Sequence, residues 1–454
     1  MSSRMYSVLA LASVVALTTA AVTSTRSNRP SPDGLTVHEW GTFTTVAGED
    51  GRAVNWFPLG GPTDLPCFVE RFQNQSAPQA LPGGFGSLLV GKVAGVTVTR
   101  NTYAVNGVAS YSAGSVAPQF DYEATRANVR AKVRMETPVL YFYSPSDVSV
   151  NVRVDFPRGL MTEWYPTATV TQGDVGTQTL SDPSQVGTIE WKDVRVTPNA
   201  QPAFLAGSGT SRYFEARATD ASPLAVGGEA ERFLFYRGVA NFDVPLSAAL
   251  VKNEAVRITS LGSDAIPGVV LFERRGDSVG FRVHGAVRGD VTLDAPSMSV
   301  NSRSAADQSL ASLRSELERM LESAGLYPKE AAAMVATWRD SWFEDGVRVF
   351  YILPASAMSA ILPLKVDPAP LSVPLSVTRV FVGRMEVVTP ETEWAVQRAV
   401  SDNDAAALEP YARFFGPIAD RILADPRTAG TQQRFRDVAN GLLAAYVEHS
   451  SSCN

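Results

Sequence analysis

The chain has 454 residues, 45% of them hydrophobic and 19% charged, with 40 basic against 46 acidic side chains and a net charge of −6. This composition excludes a disordered chain, whose low hydrophobicity and high net charge leave too little apolar surface to bury. No block of Lys or Arg accumulates anywhere, so nucleic acid is excluded as an expected partner, because neutralising phosphates takes a basic face.

Residues 1–24, MSSRMYSVLALASVVALTTAAVTS, place Arg4 ahead of an apolar and small-residue run from Val8 to Val22, and read as a signal peptide. The run is about fifteen residues, short of the roughly twenty a spanning helix needs, and Ala20 and Ala21 suit a peptidase. An exported protein, periplasmic or extracellular, is therefore expected. No later run is long and apolar enough to predict a transmembrane segment in the mature chain. Residues 25–34, TRSNRPSPDG, form a polar, proline-containing leader that predicts flexibility.

Residues 35–301 read as a β-rich, sandwich-like body. LTVHEWGTFTTV, from Leu35 to Val46, is dense in β-branched and aromatic residues and predicts a strand. Residues 57–90 carry many Gly and Pro and predict ordered loops. Strand signals then recur in KVAGVTVTRNTY, ANVRAKVRMETPVLYFYS, VSVNVRVDFP and GTIEWKDVRVTP, and continue to DVTLDAP. In VSVNVRVDF the apolar side chains Val148, Val150, Val152, Val154 and Phe156 take every second position, which predicts one buried and one wet face. Many short strands with no helical pattern between them predict one or two antiparallel β-sandwiches.

At Ser302 the period changes, and residues 302–454 read as an α-rich part. Leu310, Leu313, Leu317, Met320 and Leu321 share a helical face behind a capping signal at Ser304 and Asp307. A second helix starts at Pro328 and carries Met334, Val335, Trp338 and Trp342. VRVFYIL and VTRVFVGRMEVV interrupt the helices as two strands that could join the earlier sheet. Three more helical stretches follow, over residues 390–400, 404–424 and 431–448. The fold class expected is mainly β with α: a sandwich body plus a helical C-terminal part.

The chemistry is sparse. Histidine occurs only at His38, His284 and His449, with no HExxH spacing, so no metal site is expected. GxSxG, Walker and GxGxxG motifs are absent as well, so no cofactor is expected. On a strand His38 and Trp40 share one side while Glu39 faces the other, which argues against a His38–Glu39 acid–base pair and for a histidine hydrogen-bonded in the core or at a sheet edge. Glu-Trp pairs occur at Glu39, Glu163, Glu190 and Glu393. Trp with an acid is the vocabulary of sugar recognition, a flat apolar ring beside a hydroxyl acceptor. GLMTEWYP, read as a turn, would present Glu163, Trp164 and Tyr165 as a ligand-binding patch, and His38 and Trp40 join them as candidate ligand-binding residues. The competing reading makes each Trp the cover of one core edge. RRGDS, Arg274 to Ser278, is explained by a hairpin turn. Cys67 and Cys453 could form a disulfide, whose long closure is worth roughly 5 kcal/mol or more; otherwise Cys67 is a small buried residue and Cys453 a loose thiol.

VHEWGTFTTVAGEDGRAVNW, METPVLYFYSP with VRVDFPRGLMTEWYP, and SWFEDGVRVFYILP with RVFVGRMEVVTP resemble a group of uncharacterised exported bacterial proteins. The resemblance runs along most of the mature chain and implies export; no activity, cofactor or site residue comes with it. The function expected is an exported non-catalytic protein that binds a carbohydrate or another cell-envelope component. The alternatives are a secreted hydrolase, with a glycosidase carboxylate pair or a triad, and a protein-interaction scaffold built on the C-terminal helices.

Overall fold

The computed structural model describes residues 34–60, 65–72, 92–93, 96–97, 102–105, 108–111, 129–206 and 211–449. The expected signal peptide, most of the leader and Cys453 lie outside them. The described chain is mainly β, with a helical C-terminal region.

A nine-stranded sheet forms the middle layer. Its strands lie in the order Ser278–His284, Val269–Arg275, Gly346–Ile352, Leu375–Val387, Leu35–Ala47, Val133–Tyr143, Leu234–Ala240, Gly159–Tyr165 and Glu70–Arg71. Both strands expected in the C-terminal part thus sit inside the same sheet as the body. Leu35–Ala47 pairs with Leu375–Val387 in parallel, from Leu35 opposite Leu375 to Ala47 opposite Val387. The other neighbours in this sheet run antiparallel. A parallel pair cannot be closed by a hairpin, and here more than 300 residues separate its two strands. The turn expected at RRGDS is present: Gly276 and Asp277 join Val269–Arg275 to Ser278–His284, and Gly276 takes a φ of 58° that suits glycine.

One face of the middle layer packs on a second sheet, in the order Glu229–Glu231, Leu224–Val226, Val186–Val196, Val148–Pro157 and Leu364–Ala369. In Val148–Pro157 the alternate valines are buried and Asn151 and Arg153 are exposed, as the spacing predicts. Val150, Val152, Val154 and Trp191 meet Met135, Leu140, Tyr236 and Phe381 in the core between the sheets. A three-stranded sheet, Leu246–Leu250, Val256–Ser260 and Asp290–Leu293, extends that core.

The opposite face is covered by helices. Arg303–Ser323 and Pro328–Trp342 lay Leu310, Leu313, Leu317, Leu321, Met334 and Trp338 on Trp40, Tyr141, Phe272 and Val380. The first helix is capped by Ser302, whose hydroxyl accepts from the Ala305 amide, two residues earlier than the Ser304 signal suggested. The helices Pro390–Asp402, Phe415–Ala424 and Gln432–His449 gather at one end of the same face, where Val396, Phe415, Ile418 and Phe435 pack around Val46 and Trp56. Since both faces of the middle layer are covered, every residue of Leu35–Ala47 is buried. No helix among the described residues is long and apolar enough to cross a membrane.

Candidate functional site

The segment GLMTEWY is a strand, Gly159–Tyr165, and not a turn, and all seven of its residues are buried. Thr, Trp and Tyr favour a pleated surface packed on both sides, and Pro166 ends the strand instead of opening a loop. Trp164 lies 7% exposed, with its indole N–H donating to Glu70 Oε2 at 2.6 Å. Glu163 and Tyr165 are closed off from solvent, and the Tyr165 ring packs 4.7 Å from Phe68. Trp40 and Trp191 are buried as well, while Trp394 is 60% exposed.

His38 and Trp40 do share a side, with Glu39 on the other. His38 Nδ1 pairs with Glu330 Oε2 at 2.7 Å, a residue 292 positions away that no local motif could have named. The imidazole stacks 4.3 Å from Tyr327. Glu330 also accepts from the Tyr143 hydroxyl at 2.8 Å on Oε1 and from the Tyr327 amide at 2.8 Å on Oε2. Burial, reinforced by the Glu330 charge, pushes the Tyr143 hydroxyl well above the ordinary tyrosine range. Three donors converge on one fully buried carboxylate that also caps the helix Pro328–Trp342, so the group fastens that helix to two strands. On the far side of the strand Glu39 accepts from Arg379 at 2.5 Å and from the Tyr236 hydroxyl.

A buried belt of Arg and Glu was not anticipated from the sequence. The tripeptide Arg-Met-Glu occurs twice, at Arg134-Met135-Glu136 and Arg384-Met385-Glu386, on the two strands that flank Leu35–Ala47. Both methionines point into the core between the sheets; the strand period of two sends the Arg and Glu to the helix-covered face. Thr44 lies opposite both Arg134 and Arg384 in register, and Thr42 lies opposite Glu136. Glu136 Oε1 accepts from Arg413 Nη2 at 2.5 Å and lies 3.6 Å from Arg134 Nε. Glu386 accepts from Arg384 Nε at 2.7 Å and from Arg348 Nε at 3.1 Å. Arg348 also donates to the carbonyls of Trp342, Glu344 and Asp345, which fixes the end of the preceding helix.

Burial on its own would favour the neutral Glu136, but the guanidinium groups of Arg413, Arg134, Arg384 and Arg237 outweigh it and hold the carboxyl down to about 2. Arg134 is pushed down to about 10 by burial, with repulsion from Arg413 and Arg237 added and attraction to Glu136 opposing. Glu136 Oε2, Arg384 Nη1 and the hydroxyls of Thr42 and Thr44 are buried with no hydrogen-bond partner. The signal that could have revealed this belt was an Arg-x-Glu alternation inside strands otherwise too apolar to face water.

An accessible cleft lies elsewhere, at the C-terminal end of the strand Val133–Tyr143. A cleft of about 440 Å³ is lined there by Tyr143, Ser144, Gln201, Thr219, Asp220 and Arg232, with Pro198 and Pro223 as apolar walls. Arg232 donates to the Ala221 carbonyl at 2.7 Å and keeps its Nε without a partner. Lys329 reaches Asp220 at 2.5 Å. His38 stands behind the floor of the cleft through Glu330 and Tyr143, and Glu163, Trp164, Tyr165 and Trp40 are not among the lining residues. Cys67 is disulfide-bonded and exposed, not a buried thiol. No protein-family model matches the chain, and no curated protein matches it.

Proposed function

We propose that this is an exported, non-catalytic protein that binds a carbohydrate or another polar cell-envelope component in the cleft beside Tyr143. The observation that carries the reading is the cleft lining. It sets carboxylate and amide acceptors against guanidinium, amide and hydroxyl donors over proline walls, the mixture that hydroxyl-rich ligands require. Two buried carboxylates of the fold are already committed. Glu330 spends both oxygens on three donors, and Glu136 stays ionised down to about pH 2, whereas a general acid or base works best with a pKa near the operating pH.

The test is retention of purified mature protein on a panel of glycans and peptidoglycan fragments, followed by calorimetry. Asp220→Asn and Arg232→Ala should each weaken binding roughly tenfold or more, the effect of losing a hydrogen bond to a charged group. Retention on no member of the panel would overturn the proposal, and so would variants that bind like the parent.

A further inference from the structure

A second cleft, of about 370 Å³, opens beside the first. It is lined by Ser146, Asp147, Pro370, Ser372, Val373 and Pro374, and it shares Ser144 with the first cleft. The two therefore meet across one residue, at the point where the strand Val133–Tyr143 gives way to the loop leading to Val148–Pro157. Ser144 is pinned there, its hydroxyl donating to the Ser146 carbonyl at 2.6 Å. Its partner element, the loop from Pro370 to Pro374, is held by Leu35 donating to the Pro374 carbonyl at 2.8 Å. Each half alone lies at the low end of the size range of small-molecule pockets, and each carries its own carboxylate, Asp220 in one and Asp147 in the other.

We infer that the two clefts are one groove and that its ligand is a chain of sugar units lying across Ser144, not a single sugar; this rests on the reading of the first cleft as the binding site. Repeated acceptors and hydroxyls over repeated proline walls match a ligand that itself repeats. Acetylated amino sugars suit the lining, since their amide carbonyl offers an acceptor to Arg232 and their hydroxyls offer donors to Asp220 and Asp147.

The experiment is calorimetry with N-acetylglucosamine and its β-1,4-linked oligomers of two, four and six units, on the parent and on Ser372→Trp, which fills the second cleft alone. The parent should bind the tetramer at least tenfold more tightly than the single sugar. Ser372→Trp should lose that gain and keep the parent's affinity for the single sugar. Equal affinity for one unit and four would overturn the inference while leaving the cleft reading intact, and a length gain that survives in Ser372→Trp would do the same. If no length binds, the inference falls, and the reading of the first cleft then stands or falls by the glycan and peptidoglycan panel. A circular dichroism spectrum and melting curve of Ser372→Trp that match the parent's exclude misfolding as the cause of a loss.

Discussion

Glu136→Gln isolates the weight of the buried ionic belt. A carboxyl taken from its ordinary 4.5 to about 2 contributes roughly 3 kcal/mol of stability at neutral pH. Its folded pKa lies below the unfolded one, so the contribution is whole above about pH 4.5 and fades as the pH falls through 4.5 towards 2. The substitution removes the anion but leaves Arg134 and Arg413 facing each other, and stranding a buried charge costs about 3–5 kcal/mol. Chemical denaturation followed by tryptophan fluorescence should therefore show a loss of roughly 3–5 kcal/mol at pH 7. The variant should also lose stability less steeply than the parent between pH 4.5 and 2, because one proton-linked group is gone. A variant within about 1 kcal/mol of the parent at pH 7, with an unchanged acid limb, would refute the account of a carboxylate held by four guanidinium groups.

Thr44→Val tests the unpartnered hydroxyl: the same shape without an unmet polar group should leave stability unchanged or raise it by up to about 1 kcal/mol in the same denaturation assay. Trp164→Ala opens a cavity in a buried strand and should cost about 3–5 kcal/mol, read as a lower melting temperature, while any glycan affinity of the folded fraction stays as it was. Thiol labelling of the unfolded mature protein should find no free cysteine before reduction and two after, since Cys67 is disulfide-bonded and Cys453 is the other cysteine of the chain.

What could be read from the sequence were the periodicities with one covered face. The alternation in Val148–Pro157 and the leucine stripe of Arg303–Ser323 both report a single neighbour, and a single neighbour leaves its period in the side chains. The middle layer has two neighbours and loses that signature. In Gly159–Tyr165 and Leu35–Ala47 polar residues lie beneath helices or a second sheet, so Glu163 and Trp164 looked like surface groups when read locally, whereas strand alternation pointed His38 to the core or a sheet edge, and it is buried. The Arg-Met-Glu segments carried no signal for the same reason: Arg and Glu at every second position are indistinguishable from a wet face until the strands that hold residues 134–136 and 384–386 are seen to flank one central strand. Likewise Glu330 became a partner of His38 only through the packing of a helix that starts at Pro328.

The parallel pair at the centre ties these features together. Until Leu375–Val387 is in place, Leu35–Ala47 has one open edge, and Arg384 and Glu386 are missing from the belt that surrounds Thr44. Pairings so distant in sequence form slowly, because the loop must close before any contact rewards it. An open apolar edge meanwhile invites pairing with other chains. Charges on that face counter the hazard. Arg134 and Glu136 are inward-pointing charges of the kind that blunts such an edge, and in the folded chain the guanidinium groups of Arg413 and Arg384 help hold Glu136 ionised. In the complete sheet Arg413 reaches Glu136 and Arg348 reaches the Trp342 carbonyl, so the belt ties the helix cover to the strands, a fixing of geometry that an apolar core of equal packing would not supply.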